Sequence, residues 1–265
     1  MSTLEQETRP GGHPLARAVH AEWIKLLSVR STRWTLAATF VLGAGLTVLI
    51  CWTQAEWLAS PEATESPGSF ITWGMMVAQI LTVVLAALVV TSEYGTGMIR
   101  STFAAVPSRG RVLLAKAIVL AGVTFVLGTV TALVGYAGAN PFFEREQIGL
   151  PLDGAVARSM YGSGLLLAGI ALSTMAAGFV LRSTAATIAS VLAVMLVLGN
   201  MANLVPGTFG EWLVKLMPGN AGSPIASPVS FNPNLLEPWT GFAVFATETA
   251  LLLVVAHLVL RGRDA

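Results

Sequence analysis

Residues 70–90 read FITWGMMVAQILTVVLAALVV, with Gln79 as the one strongly polar side chain and no charge anywhere in the run. A membrane crossing needs ~20 consecutive apolar residues, and this stretch supplies them. The apolar residues do not alternate with polar ones, so a membrane β-barrel, whose short strands do alternate, is excluded. Inside lipid every backbone N–H and C=O must be satisfied within its own segment, and a helix does that.

Five more runs have the same character: 34–52, 112–138, 160–181, 185–205 and 239–260. Lys116 stands near the start of the third crossing, where its apolar stem suits a side chain reaching for the headgroups. Across all 265 residues 54% are hydrophobic and 11% charged, with a mean hydropathy of +0.72. Soluble domains carry roughly 25% charged residues, so too little polar surface exists here to face water. The expected fold is all-α: a polytopic membrane protein with six transmembrane helices. Its parts are an N-terminal segment (1–33), a transmembrane domain (34–260) and a short tail (261–265). The first run is too long for a signal-peptide core and no small-residue cleavage pattern follows it. Cys51, the single cysteine, precludes an intramolecular disulfide framework and reads as packing.

Orientation follows from Lys and Arg in the connections. Arg9, Arg17, Lys25, Arg30 and Arg33 precede the first run; Arg100, Arg109, Arg111 and Lys116 lie between the second and third; Arg182 lies between the fourth and fifth; Arg261 and Arg263 follow the sixth. The alternate connections hold Arg145, Arg158 and Lys215. Twelve basic residues against three put both termini in the cytoplasm of a cell inner (plasma) membrane protein, and an odd number of helices would destroy the asymmetry.

Two segments outside the runs carry further pattern. Residues 15–30, LARAVHAEWIKLLSVR, place Leu15, Val19, Trp23 and Leu26 at helical spacing with Arg17 and Lys25 off the stripe and Glu22 at its border. That pattern suits an amphipathic helix along the membrane surface. Residues 93–111, EYGTGMIRSTFAAVPSRGR, suggest a short helix from about 96 or 97 to 105, stopped by Pro107, with Ser108 placed to cap the next helix. Met98, Ile99, Thr102 and Phe103 would share one face, an apolar knob that needs a partner surface or the membrane interface.

The stretch Glu93-Tyr94, Gly97, Ile99-Arg100, Pro107, Arg109 and Lys116, together with Glu22-Trp23-Ile24-Lys25-Leu26 and Arg33-Trp34-Thr35-Leu36 upstream, resembles the cytoplasmic signatures of ABC-2 type transporter permeases, in particular actinobacterial ones. The resemblance covers nearly the whole chain in topology and these two stretches in motif. It implies that 97–105 is a coupling helix on which a separate ABC ATPase docks, through Glu93, Gly97, Met98, Ile99, Arg100, Phe103, Pro107 and Arg109. It also implies that 15–30 is a connecting helix bearing Trp23 and Lys25. Two permease subunits, identical or paralogous, would pair, and the connection 206–238 would form a partly re-entrant hairpin.

No GxxxxGK[ST] phosphate loop occurs, so the chain is expected to be a transport subunit and not an enzyme. ATP and Mg would be bound by the partner ATPase; no cofactor in this chain and no nucleic-acid partner are expected. Gly162-Ser163-Gly164 and His257 superficially resemble the serine and histidine of a rhomboid-type intramembrane protease. However, Tyr161 stands where that pattern has glycine, and the two residues fall near opposite ends of parallel helices, well over ~15 Å apart in depth. Glu248, deep in the sixth run, is a functional candidate by default because an intramembrane carboxylate is costly. Asn200 and Asn203 fall at similar depth, either as a hydrogen-bonded cluster with Glu248 or as a polar patch along a substrate pathway. The reading these features favour is the permease subunit of an ATP-driven exporter working by alternating access. A gradient-driven secondary transporter or a non-transporting membrane scaffold are the alternatives.

Overall fold

The computed structural model describes residues 14–105 and 108–262. Among them there is no strand, and six helices are long and apolar enough to cross a membrane. The protein is an all-α polytopic membrane protein.

Helix α1 (Pro14–Ser28) is followed almost at once by α2 (Arg30–Ala59), the first span, with only extended Val29 between them. A four-residue helix, α3 (Pro67–Phe70), leads into α4 (Met75–Gly95), the second span. Then come α5 (Met98–Ala105) and the third span, α6 (Arg109–Arg145). Asp153 accepts from the N–H groups of Ala155 and Val156 and so caps α7 (Gly154–Leu181), the fourth span. The fifth span starts as α8 (Thr184–Leu192), widens into a π segment (Ala193–Leu198), and ends in α9 (Gly199–Met201) and a 3-10 turn (Ala202–Leu204). A helical hairpin, α10 (Gly207–Leu216) and α11 (Pro218–Gly222), precedes the last span, α12 (Pro238–Gly262).

The helices outrun the apolar sequences that announce them. Helix α2 begins four residues before Trp34, and α6 runs seven beyond Gly138. Polar residues at the ends of a span lose nothing by staying helical once they pass the ~30 Å hydrocarbon layer. Serine 108 holds the N-cap position of α6, but its side chain makes no capping bond.

Spans two and four are the most buried and spans one, five and six the least. Helix α7 packs on α4, α6 and α12. Its contact with α6 depends on small residues: a Cβ on Gly164 would lie 2.4 Å from the Phe125 carbonyl oxygen, and one on Gly128 would lie 2.8 Å from that of Ser163. Ser163 itself is buried and donates to the Ser159 carbonyl at 2.8 Å. His257 packs over Gly110, where a Cβ would come within 2.9 Å of the imidazole ring.

The connection between spans five and six folds back on the bundle. The 3-10 turn after α11 (Ser223–Ala226) buries Pro224, Ile225 and Ala226 against α7 and α12. Asn220 Nδ2 donates to the Val214 and Gly199 carbonyls at 3.0 and 3.2 Å, tying the hairpin to the end of the fifth span.

Candidate functional site

Four charged side chains from three helices meet at the end of the bundle that carries α1 and α5. Lys116 of α6 is only 2% exposed; its Nζ donates to Glu22 Oε2 at 2.6 Å, to Glu93 Oε1 at 2.9 Å and to the Val89 carbonyl at 3.4 Å. Lys25 Nζ donates to Glu22 Oε1 and, at 3.0 Å, to the same Glu93 oxygen. The charges alternate around a closed ring, Glu22–Lys25–Glu93–Lys116, with no net charge. Such a group tolerates burial because each ion has partners of opposite sign; removing one member strands the others.

The ring corrects two expectations. Lys116 does not reach for headgroups but turns inward between α1 and α4. The inner face of α1 is Ala18, Glu22 and Leu26, with Lys25 half-buried, while Trp23 is 44% exposed. Glutamate 22, at the border of the apolar stripe, is thus on the buried face, because the surface α1 meets is charged at that point.

Burial pushes the Glu22 carboxyl up, but the charge and hydrogen bond of Lys116, helped by Lys25, outweigh it and hold the carboxyl below the ordinary value. Burial likewise pulls the Lys25 ammonium down, and the Glu22 hydrogen bond and the Glu93 charge overcome it and hold it above the ordinary value. Glu93 Oε2 is buried without a hydrogen-bond partner among the described residues. Beside it a cavity of about 100 Å³, lined by Glu22, Lys25, Ser92 and Glu93 together with Leu26, Val29, Leu88 and Val119, is large enough for water.

Helix α5 rides on this assembly. Gly97, at φ +72°, reverses the chain after α4 in the left-handed conformation that glycine adopts without strain. The helix runs from 98, within a residue of the expected 97–105. Ile99 does not belong to an outward knob: it is 3% exposed and packs in one cluster with Leu26, Val90 and Leu260. An eight-residue helix lying on a bundle must give one side to it, and Ile99 is on that side. Met98 is 43% exposed and Thr102 half-buried. The side chains of Arg100 and Phe103, and Pro107 entirely, lie outside the described residues. Arg109 turns to the bundle, donating from Nη1 to the Leu260 carbonyl near the end of α12, where a cation offsets the helix's exposed carbonyls.

The second candidate region is elsewhere. Glu248 of α12 is half-buried in a cavity of about 180 Å³ between α7, the fifth span and α12. Among the described residues its Oε2 has no hydrogen-bond partner. The asparagines expected near it do not join it: Asn200 Nδ2 bonds the Leu196 carbonyl at 2.7 Å, Asn203 Nδ2 bonds the Asn200 carbonyl at 3.1 Å, and both residues are exposed. Each amide satisfies its own helix end, so the hydrogen-bonded cluster with Glu248 does not form. The groups beside Glu248 are hydroxyls: Ser173 and Thr249 share a 2.8 Å hydrogen bond across α7 and α12.

No family model matches the chain, and no curated protein matches it. Sequence reasoning missed the Glu22–Lys116 pair and the role of Asn220. The first had a usable signal, two lysines and two glutamates falling at the same end of neighbouring helical segments. The second had only the Pro218-Gly219-Asn220 turn.

Proposed function

We propose that this chain is the membrane-spanning subunit of an ATP-driven transporter, an exporter of the ABC-2 type, energised by a separate ATPase. The basic asymmetry of the connections supports a cytoplasmic location for the α1 and α5 end, with both termini inside the plasma membrane. The observation that carries the reading is the combination at that end. A short helix, α5, hangs between spans two and three with Met98 exposed, and behind it the buried ring ties α1 to both of those spans. A partner pressing on α5 would move α1, α4 and α6 as one block, since separating them strands buried charge. ATP-driven motion then passes into the bundle as alternating access. The exposed apolar faces of spans one, five and six (Val41, Leu49, Val197, Leu251 and Leu258 among them) suit lipid and a second permease subunit.

The test is purification of the tagged chain from its own membranes. An ATPase subunit with vanadate-sensitive activity should elute with it, and Met98→Asp or Phe103→Asp should remove at least nine-tenths of that activity while the permease still chromatographs normally. Unchanged co-purification in both variants counts against docking on α5. The second reading, a gradient-driven transporter, is favoured by the unpaired Glu248. It requires transport by the chain without any ATPase, abolished by Glu248→Gln.

A further inference from the structure

The geometry points to the cavity around Glu248 as a binding site for a hydrophobic cation, an alkylamine or quaternary ammonium amphiphile whose charged head pairs with the Glu248 carboxylate. As the transported cargo this ligand rests on the transport reading above; as a bound ligand it does not.

Three observations converge. First, Glu248 forms no ion pair or hydrogen bond among the described residues, and its Oε2 is buried. An unpaired carboxylate in an apolar membrane span is costly, and a cation in the cavity removes the cost. Second, apart from the hydroxyls of Ser173, Ser190 and Thr249, the rest of the lining is apolar, with Ala177, Val191, Val194, Met195, Phe245 and Leu252 among it. Third, the fifth span abandons α-helical geometry at this wall. Its π segment (Ala193–Leu198) supplies Val194 and Met195, and π-bulges are rare and concentrate at functional sites. The segment is braced from behind by the hairpin, since a Cβ on Gly219 would lie 2.3 Å from the Met195 carbonyl oxygen.

The chemistry narrows the occupant. A small metal cation takes several oxygen ligands. Here Ser173 and Thr249 already bond each other, and Ser190 donates to the Thr187 carbonyl at 3.2 Å; no group of three or more His, Cys, Asp or Glu side chains that could hold a metal occurs among the described residues. A weakly hydrated ammonium needs the opposite charge and little else. At about 180 Å³ the cavity is smaller than the ~300 Å³ at which pockets begin to enclose drug-sized ligands, so it takes the head and first carbons of an amphiphile. The tail leaves past Val194, 37% exposed, along the apolar faces bearing Val197 and Val255.

The experiment is equilibrium dialysis of radiolabelled hexyltrimethylammonium against the full-length chain in dodecyl maltoside micelles, with empty micelles as the blank. Saturable binding near one per chain is expected, displaced by unlabelled probe and by hexylamine but not by hexanol. Glu248→Gln should weaken it at least tenfold with a thermal midpoint no lower than that of the native chain. Val194→Trp, which keeps the carboxylate and obstructs the mouth, should weaken it comparably. Absence of saturable binding, equal displacement by hexanol, or full affinity in either folded variant overturns the site. No ATPase is present in this measurement, so its failure leaves the α5 docking test untouched, and failure of that test leaves this one standing.

Discussion

Glu93 and Glu248 are both acidic side chains on membrane-spanning helices, and their surroundings differ in kind. Glu93 sits on a regular helix, takes hydrogen bonds from two lysines, and shares a neutral ring with groups from α1 and α6. Glu248 faces a void, has hydroxyls and aliphatic groups for neighbours, and looks across at a span that has lost its regular pitch. The first arrangement fixes three helices to one another. The second leaves the carboxylate without a partner of opposite charge among the described residues, the feature on which the proposed ammonium site rests. The difference teaches that burial of an acid does not by itself mark a functional group; what separates the two is whether lysines of the protein face the carboxylate.

The comparison predicts effects of opposite sign on stability, and the largest lies in the ring. Lys116→Met removes the ion that contacts both carboxylates and leaves Glu22 and Glu93 with only half-exposed Lys25. Breaking a buried pair in this way costs about 3–5 kcal/mol. Thermal unfolding of the purified protein should show the loss, and hydrogen exchange should place it in α1 first. The triple change Glu22→Gln, Glu93→Gln, Lys116→Met should recover part of it, because the only ring charge that remains is Lys25, which is 30% exposed and can reach water. If Lys116→Met proves as stable as the native protein, the ring is not what holds α1.

The mirror experiment is Glu248→Leu. Replacing an unpaired, partly buried carboxylate with an aliphatic group of similar length relieves a cost and fills space, so stability should rise by about 1 kcal/mol, read as a higher midpoint in the same unfolding assay. A fall of similar size would mean that Glu248 has a structural partner and would erase the contrast with Glu93.

The six spans were legible because continuous apolar runs need no long-range information. Placement of individual polar side chains was not. Lys116 reads as a headgroup-seeking lysine from its own neighbours. Its partners lie 23 and 94 residues away, and nothing local marks them. Ile99 reads as part of an exposed knob because the pattern gives the helix's apolar face but not which surface meets it. Depth alone groups Asn200 and Asn203 with Glu248, yet a helix end with unsatisfied carbonyls is a nearer partner for an amide than a carboxylate on another helix. Depth along the membrane is readable from sequence; azimuth around a helix is set by packing.

The smallest effect is a pH dependence of α1 docking, and it tests the electrostatics of the ring directly. Glu22 has a folded pKa below the ordinary 4.5, so its contribution is in place above that value and fades as the pH falls below it. Lys25 has a folded pKa above the ordinary 10.5, so its contribution is in place below that value and is lost as the pH rises through the folded pKa. Docking should therefore be flat from about pH 5 to 10 and loosen on either side, followed by the line shape of a spin label at exposed Ala21. The decisive comparison is the acid limb in Lys116→Met. With Lys116 gone, the largest influence holding the Glu22 carboxyl down is lost and burial pushes it upward. The loosening should then begin at a higher pH than in the native protein. An acid limb that does not move would mean that Lys25 alone sets the Glu22 charge and that the buried lysine is a packing residue.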